Sequence, residues 1–206
     1  MGRPLKTDAR DTRGEILSAA LGLFADQGFH GTSMRQIARK VGVRESALYH
    51  HFQNKQELFT AMINDLGPAT AAQIAHQLDT DVLLRDGPQQ YLRALVHRVL
   101  DWWATPEQQQ FARLLISEGF RGQNPRVVQP EQVVGQVLGM FLELFAELQR
   151  RELIRPVDPE ILVHEWMGPI LMIRMRFFLI TDKPDLKRAK ALADKHVAFF
   201  CQAIRR

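Results

Sequence analysis

Apolar residues recur along this chain at intervals of three and four, the spacing that places them on one face of an α-helix with polar residues on the other. Ile16, Leu17, Ala20, Leu23 and Phe24 form one such stripe, and it predicts a first helix that opens on a Thr12/Glu15 capping box and ends at Gly28. Met34, Ile37, Ala38 and Val41 form the next, with Arg35, Gln36, Arg39 and Lys40 between them and a Ser33/Gln36 capping box at the start. Gly42 stands where a left-handed residue stops a helix, and another begins about three residues later. Asn54 and Glu57 cap a fourth helix that turns Leu58, Phe59, Met62, Ile63 and Leu66 inward until Gly67-Pro68 kinks or breaks it. Beyond that point proline and glycine punctuate helical stretches over 69–78, 88–104, 106–120, 130–153, 159–180 and 184–204. Several have proline at or near the first helical position, preceded by a possible cap such as Thr105, Asp158 or Lys183. Strand alternation and internal repeats are not evident, so the pattern predicts an all-α protein.

Helix, glycine turn, helix over 33–52 is the unit that sets its second member in a major groove of DNA. The first helix then braces the pair, with Phe24, Ile37, Leu48 and Phe52 meeting in a small shared core. The run Gly42-Val43-Arg44-Glu45-Ser46-Ala47-Leu48-Tyr49-His50-His51-Phe52-Gln53-Asn54-Lys55 closely resembles the DNA-binding signature of the TetR/AcrR family of transcriptional regulators. That resemblance rests on about the first quarter of the chain and implies an N-terminal three-helix DNA-binding domain, 1–55, followed by a helical effector-binding and dimerisation domain, 56–206.

Charge agrees with this division. Residues 1–55 hold nine Lys and Arg against five Asp and Glu, leaving eighteen of each for the remainder, so the whole formal charge of +4 sits with the helix-turn-helix. A local basic surplus is the footprint of a phosphate-binding face, because each neutralised phosphate releases counterions. Residues 1–11 read as a basic arm; Arg3 and Lys6 either reach a minor groove or belong to an exposed tail. With 206 residues, 46% of them hydrophobic, the chain can build a real core. Its longest apolar stretch, 170–180, is interrupted by Arg174 and Arg176 and is too short to span a bilayer, and the N-terminus has no apolar signal core. The single cysteine, Cys201, cannot form an internal disulfide, and a cytoplasmic protein is expected.

For base readout the residues at the start of the second motif helix matter most: Arg44, Glu45 and Ser46. Arginine bidentate to guanine is the commonest specific contact, and a carboxylate accepts from cytosine or rejects wrong sites. Ser33, Arg35, Tyr49, His50, His51 and Lys55 read as phosphate contacts that position the protein, a role the resemblance assigns particularly to Tyr49 and Lys55. Either His50 or His51 turns inward beside Leu48 and Phe52. Many relatives carry Ser or Thr, then Lys or Arg, then Gly, where this chain has Arg44, Glu45 and Ser46; arginine cannot cap the helix as serine would. One short helix reads too little DNA for useful specificity, so a twofold dimer on a roughly palindromic operator is expected.

The resemblance further implies that the C-terminal domain holds a small apolar or amphipathic effector. Trp103, Phe111, Phe141, Phe145, Trp166 and Met172 are candidates to line its cavity, with Arg174 as a polar partner, and plain core packing explains the same aromatics. It also implies a homodimer through the helices near 159–180 and 184–204; the same apolar residues fit a core within one chain. The alternative reading is a DNA-binding regulator whose C-terminal domain binds a protein partner or only dimerises. An enzyme is not expected: there is no phosphate-cradling glycine loop and no nucleophile beside a base, and Cys201 and His196 stand five apart on one helix. Adjacent histidines diverge by about 100° on a helix, and no Cys or carboxylate completes a ligand set near His50 and His51, so neither metal nor cofactor is expected.

Overall fold

The computed structural model describes residues 11–67, 80–121, 130–181 and 183–206, and among them every regular element is helical. The expected basic arm and the helix expected over 69–78 lie outside the described residues, as does Pro68 of the expected hinge.

Four helices build the N-terminal half: α1 (Thr12–Gly31), α2 (Met34–Val41), α3 (Glu45–His51) and α4 (Lys55–Leu66). Asp11, one residue earlier than expected, caps α1 by accepting from the Gly14 N–H at 3.0 Å. Gly28 breaks the helix with φ 76°, and a last turn carries the chain on to Gly31. The α2 capping box forms as expected, with Gln36 N–H donating to Ser33 Oγ at 3.2 Å and Ser33 N–H to Gln36 Oε1 at 2.7 Å. Gly42 adopts φ 78° and returns its N–H to Ala38 O, ending α2 in a left-handed turn that costs glycine little. Asn54 caps α4 through the Glu57 N–H at 2.8 Å, and Glu57 accepts from Gln53 N–H at 2.6 Å. At Gly67 a Cβ would stand 2.1 Å from Ile63 O, so the chain leaves α4 by a route only glycine permits.

The C-terminal half comprises α5 (Thr80–Trp103), α6 (Pro106–Arg121), α7 (Pro130–Arg150), α8 (Pro159–Arg174) and α9 (Leu186–Ala203). Helix α5 kinks at Gly87, φ 84°, so that a regular segment starts at Pro88. Thr105 and Asp158 cap α6 and α8 as expected. At α9 the cap is Asp185, which accepts from Arg188 N–H at 3.0 Å, rather than Lys183, whose ammonium has no acceptor to offer. The stretch expected as one helix over 159–180 changes pitch after Arg174 and finishes as a π-turn, Met175–Leu179.

Two apolar cores result. Phe24, Phe29 and Phe59 pack ring on ring at 5.2–5.8 Å in the first, with Ile16, Ile37, Leu48, Phe52 and Met62 around them. Fully burying each such side chain contributes about 1.5–3 kcal/mol relative to leaving it in water. The second gathers Trp103, Phe141, Phe145, Trp166, Phe178 and Phe200 from α5, α7, α8, the π-turn and α9. Polar cross-links brace its α5–α9 seam: Asp194 accepts from Arg93 at 2.9 and 3.1 Å and meets His97 at 2.7 Å, while Lys190 reaches Asp101 at 2.6 Å. Helix α6 serves both halves, since Phe111 and Leu114 enter the first core while its other neighbours include α5 and the π-turn.

Candidate nucleic-acid interface

Helix α3 commits one side chain to the interior. Leu48 is fully buried, whereas Glu45, Ser46, Ala47, Tyr49, His50 and His51 are all exposed, Tyr49 to 47%. Both histidines therefore face outward, with ring centroids 5.7 Å apart, and the expectation that one turns inward fails. Its inward place is taken by Phe52, just past the helix end, which is 2% exposed and lies under Arg13 at 5.6 Å.

Arg44 occupies the N-cap with extended backbone, φ −71° and ψ 149°, and its side chain makes no capping bond. Its carbonyl accepts from Ala47 N–H at 3.0 Å and Leu48 N–H at 3.2 Å, while the guanidinium is exposed. Across the turn, Arg35 Nε approaches Glu45 Oε1 at 3.9 Å, and both side chains are well exposed. At such exposure the pair contributes little to stability, but it holds an acid and a base side by side on the outer face. Arg39 and Lys40 on α2 are exposed as well, two cations that the sequence pattern marked only as the polar side of that helix.

Two of the residues expected at phosphates are engaged within the protein. Ser33 Oγ donates to Gln36 Oε1 at 2.8 Å and accepts Gln36 N–H, so its hydroxyl is part of the α2 cap. The Lys55 ammonium turns back into the protein, donating to Phe29 O at 2.6 Å and Thr32 O at 2.7 Å with the Phe29 ring 4.4 Å beneath it. Lys55 thereby ties the start of α4 to the loop between α1 and α2; two carbonyls and an aromatic face hold the charge that the sequence reading gave to a phosphate. Nothing local signals this, because its partners lie 26 and 23 residues away.

Of the expected effector residues, Trp103, Phe141, Phe145 and Trp166 come together in the C-terminal core. Phe111 does not: α6 turns it into the N-terminal core, where it is 2% exposed. Met172 is 63% exposed on the outer side of α8. Arg174 lies over the Trp103 ring with Cζ 4.6 Å from its centroid. A groove of ≈ 500 Å³ lies elsewhere, between Pro88, Leu153, Ile154 and the end of α9 at Ala198, Cys201 and Ile204. Burial there pushes the Cys201 thiol up to about 11, which leaves it an unreactive packing group at neutral pH.

Gln108 escaped the sequence reading. It is 1% exposed and donates from Nε2 to Leu66 O at 2.7 Å, joining the second residue of α6 beyond its proline to the last carbonyl of α4. It stands three after the Thr105 cap, the capping-box position, yet its side chain goes to another helix. Among the described residues no group of three or more His, Cys, Asp or Glu is arranged to hold a metal ion, and no helix is long and apolar enough to cross a membrane.

A short helix held to its core by one leucine, preceded by a capped helix and a left-handed glycine, defines a helix-turn-helix DNA-binding protein. Residues 16–62 match the family described as Bacterial regulatory proteins, tetR family. Over 119 residues the chain is 34% identical to the HTH-type transcriptional regulator TtgW of a Pseudomonas putida strain, covering 58% of this chain and 83% of that one. Identity is also 34% over 119 residues to the HTH-type transcriptional regulator SrpR of Pseudomonas putida, where the match covers 58% of this chain but only 52% of the relative. A solved tetR family transcription regulator from Shewanella sp. PV-4 is similar over 96% of this chain and 100% of its own, with a TM-score of 0.67 and 28% identity. The chain belongs to the TetR family of DNA-binding transcriptional regulators. Regulators of this family bind DNA and dimerise.

Proposed function

We propose that this protein is a cytoplasmic, ligand-responsive repressor that binds a palindromic operator as a homodimer, with 1–55 as its DNA-binding domain and 56–206 as its effector-binding and dimerisation domain. The observation that carries the reading is the outward face of α3, where every side chain but Leu48 is free of the core. Arg44 reads a guanine, Glu45 and Ser46 select at the adjoining positions, and Arg35, Tyr49, His50 and His51 hold phosphates. Ser33 and Lys55 act from behind, by fixing α2 and the α1–α2 loop.

Dimerisation is supported by exposed apolar side chains on α8, the π-turn and α9: Ile161, Leu171, Met172, Met175, Leu192 and Phe199, the last exposed to 73%. Repression and small-ligand response are typical of the family. Ligand binding then favours a spacing of the two α3 helices that no longer fits adjacent grooves, and a coupling of about 1–3 kcal/mol gives roughly 5–150-fold changes in affinity.

Selection of bound genomic fragments with the purified protein tests the core of this. Inverted half-sites with centres about 34–36 Å apart, or a multiple of that, are expected, with affinity falling steeply as salt rises. Recovery of unrelated fragments, or binding indifferent to salt, would falsify the operator assignment.

A further inference from the structure

The end of α5 brings together polar groups that the fold leaves unfinished. Trp103 is 6% exposed, and three things meet on it. The Arg174 guanidinium covers its ring face at 4.6 Å. Its carbonyl accepts from Gln109 Nε2 at 2.6 Å, which leaves Gln109 Oε1 buried without a partner. Its ring edge meets Phe178 of the π-turn at 6.4 Å.

Arg174 is the unusual member. Burial lowers it to about 10, and no carboxylate among the described residues offsets that, yet it remains a cation at neutral pH. It makes no hydrogen bond or ion pair with the described residues, so its five N–H donors are left with an aromatic face. Two more guanidinium groups lie close by, Arg176 and Arg188 against Phe177 at 5.1 and 5.6 Å, and the acid beside them, Asp185, is taken by Arg188 at 3.7 Å. Elsewhere in this half, cations that meet another helix are paired, as Arg93 is with Asp194 and Lys190 with Asp101. A half-buried guanidinium laid on the Trp103 ring with no acid among the described residues is an incomplete ion pair, and the natural complement of its planar fork is a carboxylate.

We propose that the effector of this protein is an amphipathic carboxylate, whose head pairs with Arg174 above Trp103 and whose apolar body lies against the C-terminal core. This rests on the ligand-responsive reading and narrows it to a chemical class. Gln109 Oε1 is the acceptor for a hydroxyl or N–H close to the carboxylate. A neutral alcohol leaves the guanidinium unpaired, and an amine is repelled by it. The site also has a route outward, because the π-turn beginning at Met175 packs on α6, and α6 packs on α1 and α4 of the DNA-binding half.

Decanoate, decanol and decylamine, matched in chain length, test the class by calorimetry and tryptophan fluorescence on the full chain. Wild type should bind decanoate about tenfold or more tighter than decanol, the discrimination of a charge-assisted contact, and decylamine most weakly. In Arg174→Gln the preference should shrink to about twofold or less, and Arg174→Lys should fall between, keeping charge but losing the fork. Arg174→Met should melt at or above wild type, because it removes a half-buried cation that has no acid among the described residues. Equal binding of decanoate and decanol to wild type, no binding of decanoate, or a preference that survives Arg174→Gln overturns the proposal; the wild-type comparison stands even if a variant fails to fold. Operator affinity measured alongside separates the two readings. Decanoate bound through Arg174 without any change in DNA affinity keeps the anion site and removes the ligand response, whereas decanol acting on DNA as strongly as decanoate does the reverse.

Discussion

The two halves of the molecule treat charge in opposite ways. In the N-terminal half Asp11, Ser33 and Asn54 serve their own helix ends, Arg13 and Lys55 are held by Asp65 and the α1–α2 loop, and the cations Arg35, Arg39, Lys40 and Arg44 of the helix-turn-helix stay on the exposed face. In the C-terminal half, Arg93, His97 and Lys190 are spent between helices that lie about a hundred residues apart in the chain, and Arg174 is half-buried on Trp103 with no acid among the described residues. A solvated cation costs little to keep and attracts a polyanion from a distance; a partly desolvated one is costlier and gains most from a partner that can come close. On the reading proposed above, one half meets a large charged surface and the other a small charged group.

That contrast would break if the halves were thermodynamically separate, and Phe59→Ala tests this with the largest expected effect. Removing a fully buried ring between Phe24 and Phe29 should cost about 3–5 kcal/mol. Because Phe111 and Leu114 of α6 belong to the same core, urea unfolding followed by tryptophan fluorescence, which reports only the C-terminal half, should shift by the same amount as circular dichroism. Two separated transitions would show that α6 does not bind the halves into one unit. Gln108→Ala sharpens the same point more gently: leaving Leu66 O without its donor should cost about 1–3 kcal/mol, and unchanged stability would mean that water replaces the bond freely.

The smallest effect concerns pH. Burial raises the Asp194 carboxyl, but its bonds and charge pairing with Arg93 and His97 outweigh that and hold it below the ordinary carboxylate value. A depressed folded value means stability that is present above the unfolded carboxyl pKa, near ~3.9, and lost as pH falls through the folded one. Asp194→Asn should therefore lower stability slightly at neutral pH and flatten its decline in acid. An acid limb identical to wild type would show that the α5–α9 ion cluster contributes nothing measurable.

How far each half could be read from sequence follows from the same contrast. Ser33, Gln36, Gly42, Asn54 and Glu57 act within a few residues of themselves, so the start of α2, the turn and the start of α4 stand where their spacing placed them. The prolines at 106, 130 and 159 opened helices for the same local reason. Phe111 could not be placed this way, because its neighbours on α1 are some ninety residues earlier and nothing on α6 says which core claims it. Met172 and Arg174 sit on a helix apolar almost all round, where periodicity gives no face; the structure sends the first outward and lays the second, half-buried, on Trp103. The π-turn after Arg174 carried no sequence signal at all. For α3 the spacing showed which helix faces outward but not that both histidines do, since Phe52 fills the inward place from outside the helix.

The double allegiance of α6 also bears on recombination among such proteins. A head transplanted at a boundary near residue 55, or even at Gly67, would leave Phe24 and Leu58 against a foreign helix underside. A graft that keeps its fold must carry the matching replacements at Phe111 and Leu114, so the true seam for exchanging specificity runs through the middle of a helix rather than along a linker.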